Sequence, residues 1–216
     1  MPTLYYSEFV DGEWSEWDGG FILPPLPMEF DEESTTITFA FRAGQVWCYA
    51  YDPEQAVITW CVWDGDEWTD WEESGELPPA PNWIVDGMES YFSVSTHEDM
   101  EWVFSCNPED CSIYWSPWSG YGFGDWEGPV FFEDPPNFDD NADLFVAGDG
   151  DKEWLLSVNE DDMSVCFVQL SEVESEEWSE TPEPVWIPEE WLGAIDLDGA
   201  GRNGQFWLFV TVHDDP

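Results

Sequence analysis

The stretch WDGDEWTDW, residues 63–71, sets three tryptophans among four acidic residues in nine positions. A near-copy, VDGEWSEW, stands at 10–17. Large apolar rings spaced twice in the same way among carboxylates point to architecture. Trp14 and Trp17 recur as Trp68 and Trp71, and again, after almost the same interval, as Phe123 and Trp126 in FGDW. A fourth copy, EEWSET, carries Trp178, with Thr181 in place of the second ring. A second series, Trp47, Trp102, Trp154 and Trp207, is nearly evenly spaced in another phase. Pro-rich segments punctuate each unit, at 23–27, 77–81, 134–136 and 181–184.

Within a unit the pattern is short strands and turns, such as TITFAF, QVWCYAY, AVITWCVW and EWTDW. No segment carries a sustained apolar period of 3.6, so helix is not expected. Four short strands per repeat of this length is the signature of a β-propeller blade. The C-terminus stops after the second strand of a unit, and the N-terminus opens with TLYYSEF and EWSEW, read as third and fourth strands. Counted through the joined ends, the step from Trp207 to Trp14 nearly equals the steps from Trp47 to Trp68 and from Trp102 to Phe123.

The expected fold is therefore all-β, a single domain forming a four-bladed β-propeller with one blade split between the termini. The expected blades cover roughly 28–76, 82–130, 138–184, and 191–216 joined with 1–20. Pairing the termini would remove two open sheet edges. On this reading DGDEWTDW turns the third strand into the fourth, its tryptophans wedge against the next blade, and its carboxylates face water.

The net charge is −47, with Lys152, Arg42 and Arg202 as the only lysine and arginines. No basic patch can form to displace counterions, which argues against nucleic acid and against anionic membranes. Three readings of the charge stand: a solvated acidic surface suited to high salt, divalent-cation binding, and mimicry of a polyanion. No apolar run reaches the roughly 18–20 residues that span a bilayer, and no ordinary signal peptide is visible, so a soluble protein is expected.

The turn WDGxxWxxW after a third strand resembles that of the Trp-rich propeller lectins, including the fungal fucose-binding lectins and the tectonin or tachylectin-like group. It is similar in placement to the Asp-box of sialidase propellers, without the Ser-x-Asp start. The resemblance implies a propeller and carbohydrate binding. The fucose-binding lectins use an arginine and an acidic residue in most sites and have five or more blades. This chain counts four units, two of them with arginine.

Those arginines occupy matching turns: RAGQVW at 42–47 aligns with RNGQFW at 202–207. The other two units read HEDMEW and DGDKEW, with His97, Asp149 and Lys152. Arg42, Gln45, Trp47, Arg202, Gln205 and Trp207 are thus the candidate ligand contacts. A planar guanidinium beside an indole could hold a sugar, or it could pair with a carboxylate of its own chain. DLDGAGRNG at 196–204 partly matches a D-x-D-G calcium loop without its closing carboxylate, and GDGDKE at 148–153 reads as an exposed turn. Weak divalent binding is the most these segments suggest, and no cofactor is expected.

Of five cysteines, Cys106 and Cys111 flank the turn NPED, a spacing that could set them opposite each other for a disulfide. Centring the other hairpin on DPEQ puts Cys48 opposite Thr59. Cys48, Cys61 and Cys166 read as buried small residues. No catalytic motif is legible, and the acidic residues are too numerous for any pair to stand out. The expected function is a non-catalytic binding module, lectin-like, or alternatively a structural or protein-interaction subunit with an acidic exterior.

Overall fold

A computed structural model describes residues 2–27, 30, 35–52, 57–77, 91–97, 100–107, 112–118, 122–131, 142–148, 153–159, 162–170, 178–181, 183–188, 191, 195–202 and 205–212. The described chain is all-β. The N-terminal strands are β1 (Thr3–Val10), β2 (Glu13–Trp14) and β3 (Asp18–Ile22). The first sheet holds β4 (Thr36–Arg42), β5 (Gln45–Asp52), β6 (Val57–Trp63) and β7 (Glu72–Glu76). The second holds β8 (Tyr91–His97), β9 (Met100–Asn107), β10 (Ser112–Pro117) and β11 (Glu127–Phe131). The third holds β12 (Ala142–Gly148), β13 (Glu153–Asn159), β14 (Val165–Leu170) and β15 (Ser179–Glu180). The last two strands, β16 (Ile195–Arg202) and β17 (Gln205–Val212), join the N-terminal strands in a terminal sheet.

The first, second and third sheets are antiparallel meanders whose strands follow chain order. In the terminal sheet the order crosses the chain ends. β1 pairs with β17 from Thr3↔Val212 to Glu8↔Trp207, and β3 closes the outer side of β1. One sheet is thus divided between the termini, but as two C-terminal strands with three N-terminal ones, not two with two, since β2 and β3 both pair with β1.

The inner strands touch in succession: β4 meets β8, β8 meets β12, β12 meets β16, and β16 meets β4. The apolar cores lie at these seams, not inside the individual sheets. Trp68, Trp71 and Trp207 pack on the cluster between the terminal and first sheets. Trp47, Phe123 and Trp126 fill the seam between the first and second. Trp102 and Trp178 serve the second and third, and Trp154 with Trp14 and Trp17 serves the third and terminal sheets. Each seam therefore receives the ring of the Trp47 series from one sheet and the opening-motif rings of the sheet that follows. The sequence reading aimed the opening-motif rings at the next blade. They pack on the seam with the preceding sheet.

The outer strand is also placed differently from the sequence reading, which took EWSEW and EWTDW as fourth strands. β3 and β7 begin after the second tryptophan, and 69–71 carries no strand. The motif instead holds the turn against the third strand. The Ser15 hydroxyl accepts from the Glu8 N–H at 3.0 Å, and the Thr69 hydroxyl accepts from the Val62 N–H at 3.0 Å. The second ring ties down the preceding Pro-rich linker: the Trp71 indole N–H donates to the Pro25 carbonyl at 3.0 Å, and that of Trp17 donates to the Trp186 carbonyl. The acidic residue between the rings, Glu16 or Asp70, is exposed. The quoted motif is thus one ring for the seam, one hydroxyl for the third strand, one carboxylate for water and one indole N–H for the linker.

The two near-copies turn differently because one is a residue longer. Asp11 and Gly12, with φ of 54° and 91°, make a two-residue hairpin between Val10 and Glu13. Asp64 instead opens a longer turn, its carboxylate accepting from the Asp66 and Glu67 N–H groups at 2.9 and 3.0 Å, while Trp63 bridges Trp68. Those two backbone bonds, that of Glu67 foremost, hold the Asp64 carboxyl below its ordinary pKa.

The cysteine registers correct the sequence reading. Asp52 pairs with Val57, so Cys48 stands opposite Cys61, not Thr59, and both are fully buried. Burial, then the Cys61 thiol beside it, pushes the Cys48 thiol well above its ordinary pKa. Cys106 pairs with Ile113. Its expected partner Cys111 lies outside the described residues, as do Asp149, Lys152, and the Pro-rich segments at 78–81 and 134–136.

Candidate functional site

The two arginine turns sit at equivalent ends of inner hairpins. Arg42 pairs with Gln45 across Ala43 and Gly44, and Arg202 pairs with Gln205. Arg42 leaves its own sheet to form an ion pair with Glu101 on β9 of the second sheet, and Glu101 is only 4% exposed. The Tyr49 hydroxyl donates to the same carboxylate at 3.0 Å, and the Arg42 guanidinium carbon lies 4.8 Å from the Trp47 ring centre. Burial, followed by the Glu101 charge, drives the Tyr49 phenol well above its ordinary range. A buried carboxylate needs such a partner, since an unpaired one costs about 3–5 kcal/mol.

Arg202 lies over Phe41 of the first sheet, at 5.0 Å, and the Trp207 ring meets the same Phe41 at 5.0 Å. The six sequence candidates thus fall into two groups at two different seams. The indole N–H groups of Trp47 and Trp207 are buried and have no hydrogen-bond acceptor among the described residues.

The D-x-D-G segment is not a loop. Asp196 and Asp198 lie on strand β16, and the Asp198 carboxylate is 4% exposed at the seam with β4. It accepts hydrogen bonds from the Thr38 hydroxyl, at 2.8 Å, and from the Phe39 N–H. Burial outweighs these bonds and lifts its pKa to about 7. Gly199 follows because a Cβ there would sit 2.3 Å from the Phe145 ring. Among the described residues no group of three or more His, Cys, Asp or Glu side chains converges as a metal centre.

An open cavity of about 820 Å³ lies instead between the N-terminal residues 5–17 and the linker that precedes β16. That volume is in the range of small-molecule sites. Its aromatic wall comes from Tyr5 on β1, Trp17 of the opening motif and Trp191 of the preceding linker. The Trp191 ring centre is 4.3 Å from that of Tyr5 and 5.7 Å from that of Trp17. Trp186 stands at the mouth and is 72% exposed, the one exposed ring among the described tryptophans. The Trp17 bond to the Trp186 carbonyl fixes this linker against the terminal sheet. Val185 and Ile187, on either side of Trp186, are buried in the seam core, which turns the intervening ring outward. The polar lining is acidic, with Glu13, Glu16 and Glu183 all exposed.

Sequence reasoning did not single out this cavity, although a signal was present. Trp186 and Trp191, in WIPEEW, belong to neither tryptophan series. Among the described residues no helix is long and apolar enough to cross a membrane. Comparison with known proteins matches the chain to no family model and to no curated relative.

Proposed function

We propose that the four sheets are the blades of a four-bladed β-propeller closed by its termini, and that this propeller is a non-catalytic carbohydrate-binding module. Support for the architecture comes from the succession of inner-strand contacts, which returns from β16 to β4, and from the four aromatic seams. Support for the function comes from one observation above all: Trp186 is exposed beside Trp17 and Trp191 in a cavity of saccharide size. Sugar rings present C–H faces that stack on indoles, while their hydroxyls need acceptors, which Glu16 and Glu183 supply. The resemblance of the WDGxxWxxW turn to the Trp-rich propeller lectins points the same way. Arg42 already neutralises Glu101, so the cavity is a stronger candidate than the arginine turns.

A broad glycan array followed by calorimetry tests the reading. The native chain binds a saccharide without cleaving it, and Trp186→Ala loses most of that binding while melting at the same temperature. A second reading, an assembly subunit, is favoured by the exposed apolar residues Ile22, Val130 and Phe131 on outer strands β3 and β11. Outer strands offer unpaired backbone for edge association. Concentration-dependent assembly with no glycan bound would favour it.

A further inference from the structure

We infer that the cavity selects saccharides carrying a free, protonated amino group, an inference that rests on the carbohydrate reading above. The sequence reduces the choice first. With a net charge of −47, the molecule's field repels an acidic or sulfated glycan at any approach. The lining then narrows it. Glu13 and Glu16 from the terminal sheet face the same space as Glu183 from the linker, and no lysine, arginine or histidine lines it among the described residues. Arg42 and Arg202 are committed to other seams, beside Glu101 and Phe41.

The rings fit the same ligand. An indole face attracts an ammonium group through its quadrupole, and tryptophan does so most strongly of the aromatic side chains. Trp186, being exposed, is free to cover one face of a sugar, while Trp17 and Trp191 stand at 66° to each other behind it. A 2-amino-2-deoxy sugar offers both halves of this match: a C–H face for the indole and an ammonium for the carboxylates. A neutral N-acetylated sugar offers only the first.

The test uses the full chain and three probes of one length: a glucosamine trimer, an N-acetylglucosamine trimer and a sulfated trisaccharide. Calorimetry and tryptophan fluorescence read the binding. The glucosamine trimer binds at least tenfold more tightly than its acetylated form, and the advantage shrinks as NaCl rises from about 0.05 to about 0.5 M, because exposed charges are screened. The double variant Glu16→Gln with Glu183→Gln removes most of that advantage. Asp70→Asn, at the matching exposed position of the first sheet, leaves it in place. Equal affinity for the two trimers, or preference for the acetylated or sulfated one, overturns the amino-sugar inference and leaves the carbohydrate reading standing. Binding of none of the three, with none on the array, overturns both.

Discussion

The carboxylate of Asp198 accepts the hydroxyl hydrogen of Thr38 at 2.8 Å, across 160 positions of sequence and from one inner strand to the next. The contact repeats around the inner strands with other side chains. The Thr38 hydroxyl in turn accepts from the Val94 N–H at 3.2 Å, and the Ser93 hydroxyl accepts from the Val146 N–H at 2.9 Å. At the remaining seam Phe145 packs against Gly199 instead. Small polar side chains and glycines, Gly148 against Ser95 as well as Gly199 against Phe145, thus let inner strands approach without hydrogen-bonding as a sheet.

Asp198 makes stability depend on pH. Its folded pKa, about 7, lies above the unfolded value of roughly 3.9. The folded protein therefore binds the proton more tightly. The contribution to stability is fully present below about pH 4, falls as pH rises, and is gone above about pH 7. A shift of this size corresponds to a few kcal/mol, on the order of 1.4 per unit. Denaturant titrations at pH 4.5 and 7.5 check this. Asp198→Asn flattens the difference by about one proton, which separates it from the general easing of charge repulsion on acidification.

Trp71→Phe removes the indole N–H that holds the Pro25 carbonyl while keeping a ring in the seam. Loss of one such bond costs about 1 kcal/mol. The lower unfolding midpoint should come without a change of m-value, since the same surface is exposed on unfolding.

Ala43 holds a φ of 50° next to Gly44 at 82°, the hairpin conformation in which asparagine and glycine are favoured. The matching turn of the last unit reads Asn203-Gly204. Ala43→Asn should therefore raise stability, by about 0.5–1 kcal/mol, by placing a residue tolerant of the left-handed region. A chemical-denaturation midpoint unchanged or lowered contradicts the assigned turn.

Deleting residues 1–22 removes β1, β2 and β3, and leaves β17 with an unpaired edge. The truncated chain should lose its sharp thermal transition and aggregate. A transition as sharp as that of the full chain would mean that the terminal sheet does not stabilise the rest.

Much of this architecture was legible because it repeats. The tryptophan spacing marked the units, and the phase across the joined ends placed β1 beside β17. The outer strands were not legible. DGGFI and EGPVF are rich in glycine, proline and acid, and EGPVF is exposed throughout, so neither shows an apolar alternation. The Cys48–Cys61 pairing was missed because moving the centre of a hairpin by one position shifts every partner by two. The burial of Asp198 was not legible because the local pattern says nothing of the strand from another sheet that binds it. The cavity was missed for a related reason: it joins Tyr5, near the start of the chain, to a linker close to its end.

The measurement that bears most directly on the proposed site is a titration of indole N–H signals by nuclear magnetic resonance, with a saccharide taken from the array. The signals of Trp17, Trp186 and Trp191 should move together with ligand. Those of Trp47 and Trp207, whose N–H groups are buried in their seams, stay in place. Shifts confined to Trp47 and Trp207 would move the site to the arginine turns, and an unmoved Trp186 in the presence of a bound saccharide would contradict the account.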